Sequence, residues 1–195
     1  MTKRIIFHID VNSAYLSWEA AYRLQLGDSL DLRTILSAIG GNPETRQGII
    51  LAKSIPAKSF KIQTGETIFS ARAKCRDLVI VSPNYILYRQ CSQALKNILK
   101  NYSPLIQQYS VDEFFLDFTG MEELLGDPVE KAYEIKELVK EKLGFTVNIG
   151  ISCNKLLAKM GSELKKPDKT HTLFPREIPT KMWPLPVEKL FGIGR

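Results

Sequence analysis

The sequence predicts an α/β (α+β) fold with a ferredoxin-like β-α-β-β-α-β core and a further subdomain inserted after its first strand. Three features predict it. Ile5 to Ile9 is a continuous apolar or weakly polar run that stops at Asp10, as expected of a strand covered on both faces. Two strand-like segments, Ile106 to Ser110 and Phe114 to Phe118, flank a tight connection at Val111-Asp112-Glu113. Two helices with clear start signals separate these segments from the first strand and from a last strand at Phe145 to Ile151.

The elements follow in order. A helical pattern runs from about Ala14 to Leu26 and closes at Gly27. Residues 27–47, with Gly40, Gly41 and Pro43, read as irregular connection. A short strand from Gly48 to Ala52 precedes a loop, Thr67 to Cys75 reads as helix, and Leu78 to Val81 as strand. Ser82 can cap the next helix and Pro83 fits its first turn, with Leu87, Tyr88, Cys91, Leu95, Ile98, Leu99 and Tyr102 on one face. Asp127-Pro128-Val129-Glu130 has the pattern of a capping box, and that helix stops at Gly144. Asn154 to Leu164 is the last clear helix. Residues 1–10 and 84–175 therefore form the core, 11–83 hold the helix after strand 1 and the insertion, and 176–195 lead into another element.

Composition bounds the function without naming it. Hydrophobic residues make up 44% and charged residues 25% of the 195, ordinary for a globular chain. Lys and Arg outnumber Asp and Glu by 27 to 21, a net charge of +6 that is compatible with a polyanionic partner. Cys75, Cys91 and Cys153 are widely spaced with no C-x-x-C pair, which argues against a disulfide framework or a zinc site and suits a reducing compartment. The short apolar run after Met1-Thr2-Lys3-Arg4 is too brief for a signal-peptide core, and no stretch approaches a membrane span. The expectation is a cytoplasmic protein with no membrane partner.

The predicted topology sets the first strand antiparallel beside the third. Asp10 at the end of one then meets Asp112 and Glu113 at the start of the other. Gathered carboxylates repel and raise one another's pKa unless a cation holds them. Hard oxygen donors in a cluster suit Mg²⁺, and two such ions about 3.5–4 Å apart serve in-line nucleotidyl transfer. Taken singly, Asp10 can merely end a strand and Asp112-Glu113 can be turn residues; their combination favours the metal site.

Three segments carry a specific resemblance. Phe7-His8-Ile9-Asp10-Val11-Asn12-Ser13-Ala14-Tyr15 resembles the first motif of the Y-family (translesion) DNA polymerases, an Asp followed five residues on by an aromatic. Tyr109-Ser110-Val111-Asp112-Glu113-Phe114-Phe115-Leu116-Asp117 is similar to their Ser-x-Asp-Glu hairpin. Gly150-Ile151-Ser152-Cys153-Asn154-Lys155-Leu156-Leu157-Ala158-Lys159-Met160, ending at Lys166-Pro167, resembles their Gly-Ile-Ser-x-Asn-Lys helix. The motifs come in family order and the similarity extends over essentially the whole chain, of DNA polymerase IV-like or UmuC-like type.

The resemblance implies a palm with inserted fingers and a template-directed DNA polymerase active in damage tolerance. It implies Mg²⁺, two ions with bound dNTP, held by Asp10, the main-chain carbonyl of Val11, Asp112 and Glu113. Primer–template DNA and dNTP are the implied partners, with a sliding clamp reached through a C-terminal region. Tyr15 would be the steric gate under the incoming sugar, although alone it reads as a core aromatic. Amides of Ser13, Ala14 and Tyr15 at a helix N-terminus would face the triphosphate. Lys155, Lys159 and Lys166 fall on one stripe if the helix persists, Lys166 toward triphosphate and Lys155 and Lys159 toward DNA backbone; a lysine stripe alone is more often a solvated face. His8 reads as a packed strand residue.

Gly48 to Lys58 departs from the family, which usually has Ser or Thr, Tyr and Arg where Ala52, Ile55 and Lys58 stand. Lys58 can neutralise phosphate but lacks the planar fork of Arg. Leu190-Phe191-Gly192-Ile193-Gly194-Arg195 resembles the opening of a helix-hairpin-helix at the start of a thumb, so the chain reads as a fragment that folds but is weakly active or inactive alone. The rivals are another palm-type enzyme such as a nucleotide cyclase, which has no use for Tyr15 or the lysines, and a non-catalytic DNA-binding module.

Overall fold

A computed structural model of the protein describes residues 4–41 and 48–193. Its strands are β1 (Ile6–Val11), β2 (Ser37–Gly40), β3 (Ile50–Lys53), β4 (Val79–Val81), β5 (Ile106–Gln108), β6 (Glu113–Asp117), β7 (Val147–Ser152) and β8 (Thr170–Thr172). Its helices are α1 (Ala14–Gln25), α2 (Ile55–Ser59), α3 (Ile68–Lys74), α4 (Tyr85–Leu99), α5 (Glu122–Leu125), α6 (Pro128–Leu143), α7 (Lys155–Glu163) and α8 (Ile178–Lys181). They form two compact units, one of residues up to Asn12 with those from Ser92 onward, the other Ser13–Cys91.

The first unit is built on a five-stranded sheet in the order β5-β6-β1-β7-β8. Its first four strands have the expected ferredoxin-like order, with β1 antiparallel to both β6 and β7. Every residue of β1 is buried, as its apolar run requires. Side chains alternate across the sheet, so Ile6, His8 and Asp10 share one face while Phe7, Ile9 and Val11 share the other. Phe7 stacks on Phe118 at 4.9 Å on its own face.

Helix starts follow local chemistry. The Asp127 carboxylate accepts from the Val129 and Glu130 amides at 2.8 and 3.0 Å, and Gly144 ends α6 with φ of 73°. Asn154 caps α7 by accepting from the Leu157 amide at 2.8 Å. For α4 the expected start is corrected. Asn84, not Ser82, caps it by accepting from the Leu87 amide at 3.1 Å, and Pro83 lies ahead of the helix. An Asx side chain placed three residues before an amide competes better for that bond than a more distant Ser.

In the second unit the sheet order is β3-β2-β4. Strand β2 corrects the reading of 27–47 as wholly irregular: Ser37–Gly40 is fully buried and pairs antiparallel with β3 and parallel with β4. Four residues that end in one glycine and precede another carry too little periodicity to announce a strand. Helix α2 likewise replaces an expected loop, with Ser54 accepting from the Ala57 amide at 3.1 Å. Thr67 caps α3 in the same way through the Ser70 amide. Ala38, Ile50, Ile62, Ile68 and Leu78 pack together in one cluster, and Leu16, Ala20, Leu32, Ile39 and Ala52 in another. Of the expected helix-hairpin-helix opening, Gly194 and Arg195 lie outside the described residues.

The tightest contact in the first unit is between α7 and β7. A Cβ on Gly150 would lie 2.0 Å from the Ala158 carbonyl oxygen, 2.3 Å from the Ser162 amide nitrogen and 2.9 Å from the Gly161 carbonyl carbon. All three are backbone atoms, so nothing can rotate aside. Gly150→Ala is therefore expected to cost more than about 4 kcal/mol, measured by chemical denaturation, with loss of the folded first unit. A loss under about 1 kcal/mol would show that α7 can lift off β7 cheaply.

Candidate active site

The register of the central strands makes the site. Asp10 lies directly opposite Glu113 across β1 and β6, and opposite Asn148 across β1 and β7. The Val11 amide donates to the Asp112 carbonyl at 3.1 Å, which closes the ladder one residue beyond that pair. In the hairpin, the Ser110 hydroxyl donates to the Asp112 carboxylate at 2.6 Å and accepts from the Glu113 amide at 3.1 Å. That is the structural work of the Ser in Ser-x-Asp-Glu: it ties both acidic residues to one turn.

Among the described residues, one group of carboxylates could share a cation: Asp10, Glu113 and Glu163, with oxygens within 4.8 Å of one another. Glu163 was not anticipated from the sequence. It sits at the end of α7, and only the packing of α7 on the sheet brings it to Asp10. Asp112, anticipated in this group, has its carboxylate engaged with Ser110 instead.

Two lysines already neutralise the cluster. Lys159 Nζ lies 2.7 Å from both oxygens of Glu113, and Lys166 Nζ lies 3.0 Å from Asp10 and 2.7 Å from Glu163. The expected lysine stripe is thereby corrected. Helix α7 ends at Glu163, so Lys166 leaves the helix before it could continue a row. Lys159 is only 7% exposed and faces Glu113, not solvent. Lys155 is exposed and donates to the side-chain oxygen of Gln107.

Asn148 holds the Lys166 segment in place. Its amide donates to the Ser162 and Lys165 carbonyls at 2.9 and 2.7 Å, and its oxygen accepts from the Lys169 amide at 3.2 Å. The side chain is fully buried and three of its bonds fix the loop after α7. His8, also fully buried, contacts Ser162 through Nδ1 at 2.7 Å. Because the Ser162 hydroxyl donates to the Lys159 carbonyl at 2.8 Å, it can only accept from His8, so Nδ1 carries a proton.

The electrostatics are opposed at the two carboxylates. Burial pushes Asp10 up to about 7, against the pull of Lys166, with Glu163 and Glu113 adding to the rise. Glu113 is held down at about 2, by the His8 imidazole 3.7 Å away and, at closer range, by the Lys159 ammonium. Lys166 rises above its ordinary value: burial disfavours its charge, but Asp10 and Glu163 outweigh it.

The anticipated residues of the second unit lie as follows. Ser13 takes a left-handed conformation, φ 49°, immediately before α1, and its side chain makes no capping bond. A non-glycine residue there stores backbone strain of the kind that gathers at functional turns. Ala14 is buried in the first turn of α1. Tyr15 is half-buried, stacked on Tyr88 with centroids 4.7 Å apart and planes at 20°. Ala52 is a core residue, while Ile55 and Lys58 are exposed on α2.

The family model described as impB/mucB/samB matches residues 9–163, which contain the Asp10, Asp112-Glu113 and Gly150 to Met160 motifs. The chain belongs to the impB/mucB/samB family. It is 51% identical over 193 residues to DNA polymerase IV of Clostridium acetobutylicum, covering 98% of this chain and 48% of that protein. It is 40% identical over 192 residues to DNA polymerase IV of Acetivibrio thermocellus, covering 98% and 47%. The chain thus spans about half the length of the curated relatives it matches. The fold is that of the crystal structure of DinB from Sulfolobus solfataricus, with a TM-score of 0.85 at 24% identity over 97% of this chain and 54% of the other. A Y-family DNA polymerase chimera matches equally well, with a TM-score of 0.85 at 22% identity, covering the same 97% and 54%. The mixed α/β architecture is therefore the palm-and-fingers fold of that family. Among the described residues no helix is long and apolar enough to cross a membrane.

Two outcomes test these electrostatics in metal-free protein. The Glu113 pairing contributes stability that is complete above its unfolded pKa near 4.5 and is lost as pH falls toward 2. At neutral pH, Glu113→Gln leaves Lys159 buried and unpaired and is expected to cost about 3 kcal/mol in denaturant melts, a loss absent at pH 2. Asp10 has the opposite sign: its folded pKa lies above 3.8, so stability falls as pH rises from about 4 through 7. Asp10→Asn is expected to raise the melting temperature by roughly 5 °C at pH 8 and hardly at all at pH 4. A uniform shift across pH would mean that Asp10 is not the titrating group.

Proposed function

We propose that this chain is the catalytic part of a template-directed DNA polymerase of the translesion type, joining a dNTP to a primer 3′-hydroxyl in damage tolerance. The supporting observation is the pairing of Asp10 with Glu113 on one sheet face, in a chain that is 51% identical to a DNA polymerase IV. The donor set fits Mg²⁺. The oxygens are hard, those of Asp10, Glu113 and Glu163 converge within 4.8 Å, and two ammonium groups already stand at them as cations. When bound, a pair of such ions lowers the pKa of the attacking hydroxyl and neutralises the triphosphate.

The chain's own residues supply the rest. Asp10, Glu113, Asp112 and the Val11 carbonyl would be the ligands. Lys166, which bonds to Asp10 and Glu163, would pass its ammonium to the triphosphate. The first amides of α1, at Ser13, Ala14 and Tyr15, would face the triphosphate as a helix N-terminus. Tyr15, its ring fixed by stacking on Tyr88, would lie under the sugar and exclude a 2′-hydroxyl. Lys58 would neutralise phosphate and Lys155 the DNA backbone, each as a point charge. A sliding clamp would engage a region beyond these residues.

Primer extension by the full-length protein tests this directly. Wild type should extend a primed template with dNTP and Mg²⁺, while Asp10→Ala and Asp112→Ala each lower the rate at least about a thousandfold. Tyr15→Ala should raise ribonucleotide incorporation far more than it lowers deoxynucleotide incorporation. Unchanged sugar discrimination would make Tyr15 a packing residue only. Absence of extension by the wild-type protein would remove the polymerase reading.

A further inference from the structure

Lys159 has a second set of neighbours that the proposed reaction does not use. Its ammonium lies 5.3 Å from the centroid of the Tyr109 ring and 5.0 Å from that of Phe191. The two rings meet edge-on, 6.3 Å apart at 73°. Phe191 is held there by its own amide, which donates to the Met160 sulfur at 3.3 Å. The lysine therefore stands between a carboxylate on one side and two aromatic faces on the other. Behind it opens a cleft of about 390 Å³ between α7 and the chain near Leu185 to Phe191, with Glu163 and Glu188 on its walls.

A carboxylate whose two oxygens are both taken by an ammonium is not free to bind a metal with full strength. Glu113 must lose or share that partner, and the lysine needs somewhere to go. The cleft supplies the room and two alternative carboxylates. The aromatic pair supplies a competing attraction, because a cation over ring faces is stabilised where it stands.

We propose that Lys159 is a built-in cation that holds Glu113 in its ligand pose until a divalent ion displaces it, and that the Tyr109–Phe191 pair sets how readily it yields. This rests on reading Glu113 as a metal ligand. Lys159 and Phe191 are positioning residues; both act through Glu113. The segment carrying Phe191 is thereby coupled to the metal site, since moving its ring away unseats the lysine.

The test is Mn²⁺ binding to the chain, followed by electron paramagnetic resonance, with NMR of the Lys159 ε-methylene group as a second readout. In wild type the ε-protons should be shifted upfield by the two rings, and saturating Mg²⁺ should move them. Lys159→Met should tighten Mn²⁺ binding about tenfold, because a charge-assisted competitor is removed. Phe191→Leu keeps the ion pair and should tighten binding about two- to fivefold while shrinking the upfield shift. Should Lys159→Met fail to fold, Phe191→Leu carries the test alone. Weaker or unchanged Mn²⁺ binding in Phe191→Leu, with the upfield shift lost, overturns the proposal. Glu113→Gln separates the two levels. If it leaves Mn²⁺ affinity unchanged, the ligand reading itself is wrong; if it weakens binding while the lysine and aromatic variants do not tighten it, only the present inference fails.

Discussion

Helix α7 lies on strand β7 with no side chain between them at Gly150, and the site's charges depend on that closeness. The contact seats α7 against β1 as well, because His8 stands opposite Gly150 and reaches Ser162 one turn beyond Lys159. From this one seat α7 delivers Lys159 to Glu113 and Glu163 to the neighbourhood of Asp10. A helix lifted by even a methyl group would carry both residues out of hydrogen-bonding range. Asn148 completes the arrangement by tying the chain that follows α7 back to β7, which brings Lys166 over Asp10.

The result is a balance of buried charge. Two carboxylates on adjacent strands would repel each other in isolation. Here each is matched by a lysine, but unequally. Glu113 is gripped through both oxygens by a buried ammonium, whereas Asp10 shares a more exposed one with Glu163. Burial raises the Asp10 pKa in spite of its lysine, while His8 and Lys159 hold that of Glu113 down.

The inserted unit shows the same economy in a different material. Its two clusters of small and medium apolar residues lie on a three-stranded sheet, with Tyr15 packed against the one that contains Leu16, Ile39 and Ala52. Stacking on Tyr88 orients the Tyr15 ring while leaving it partly open. The alanine at position 52 belongs to that core. Ile55 and Lys58 remain exposed on α2.

Much of this was legible in the residues themselves. The all-buried β1, the helix starts near Thr67 and Asn154, the cap at Asp127 and the stop at Gly144 follow from hydrogen bonds and periodicities that span a few residues. The convergence of Asp10 with Glu113 followed from topology, since strand order alone sets which ends meet. Strands β2 and β8 did not announce themselves, because three or four residues gain a strand's identity only from the neighbours they pair with. The Lys159–Glu113 and Lys166–Asp10 pairs join residues 46 and 156 positions apart, and no local pattern distinguishes such lysines from a solvated stripe. Sequence determined most of the elements and the meeting of Asp10 with Glu113. Tertiary structure decided which cation meets which carboxylate, because that depends on how closely one helix backbone can approach one glycine.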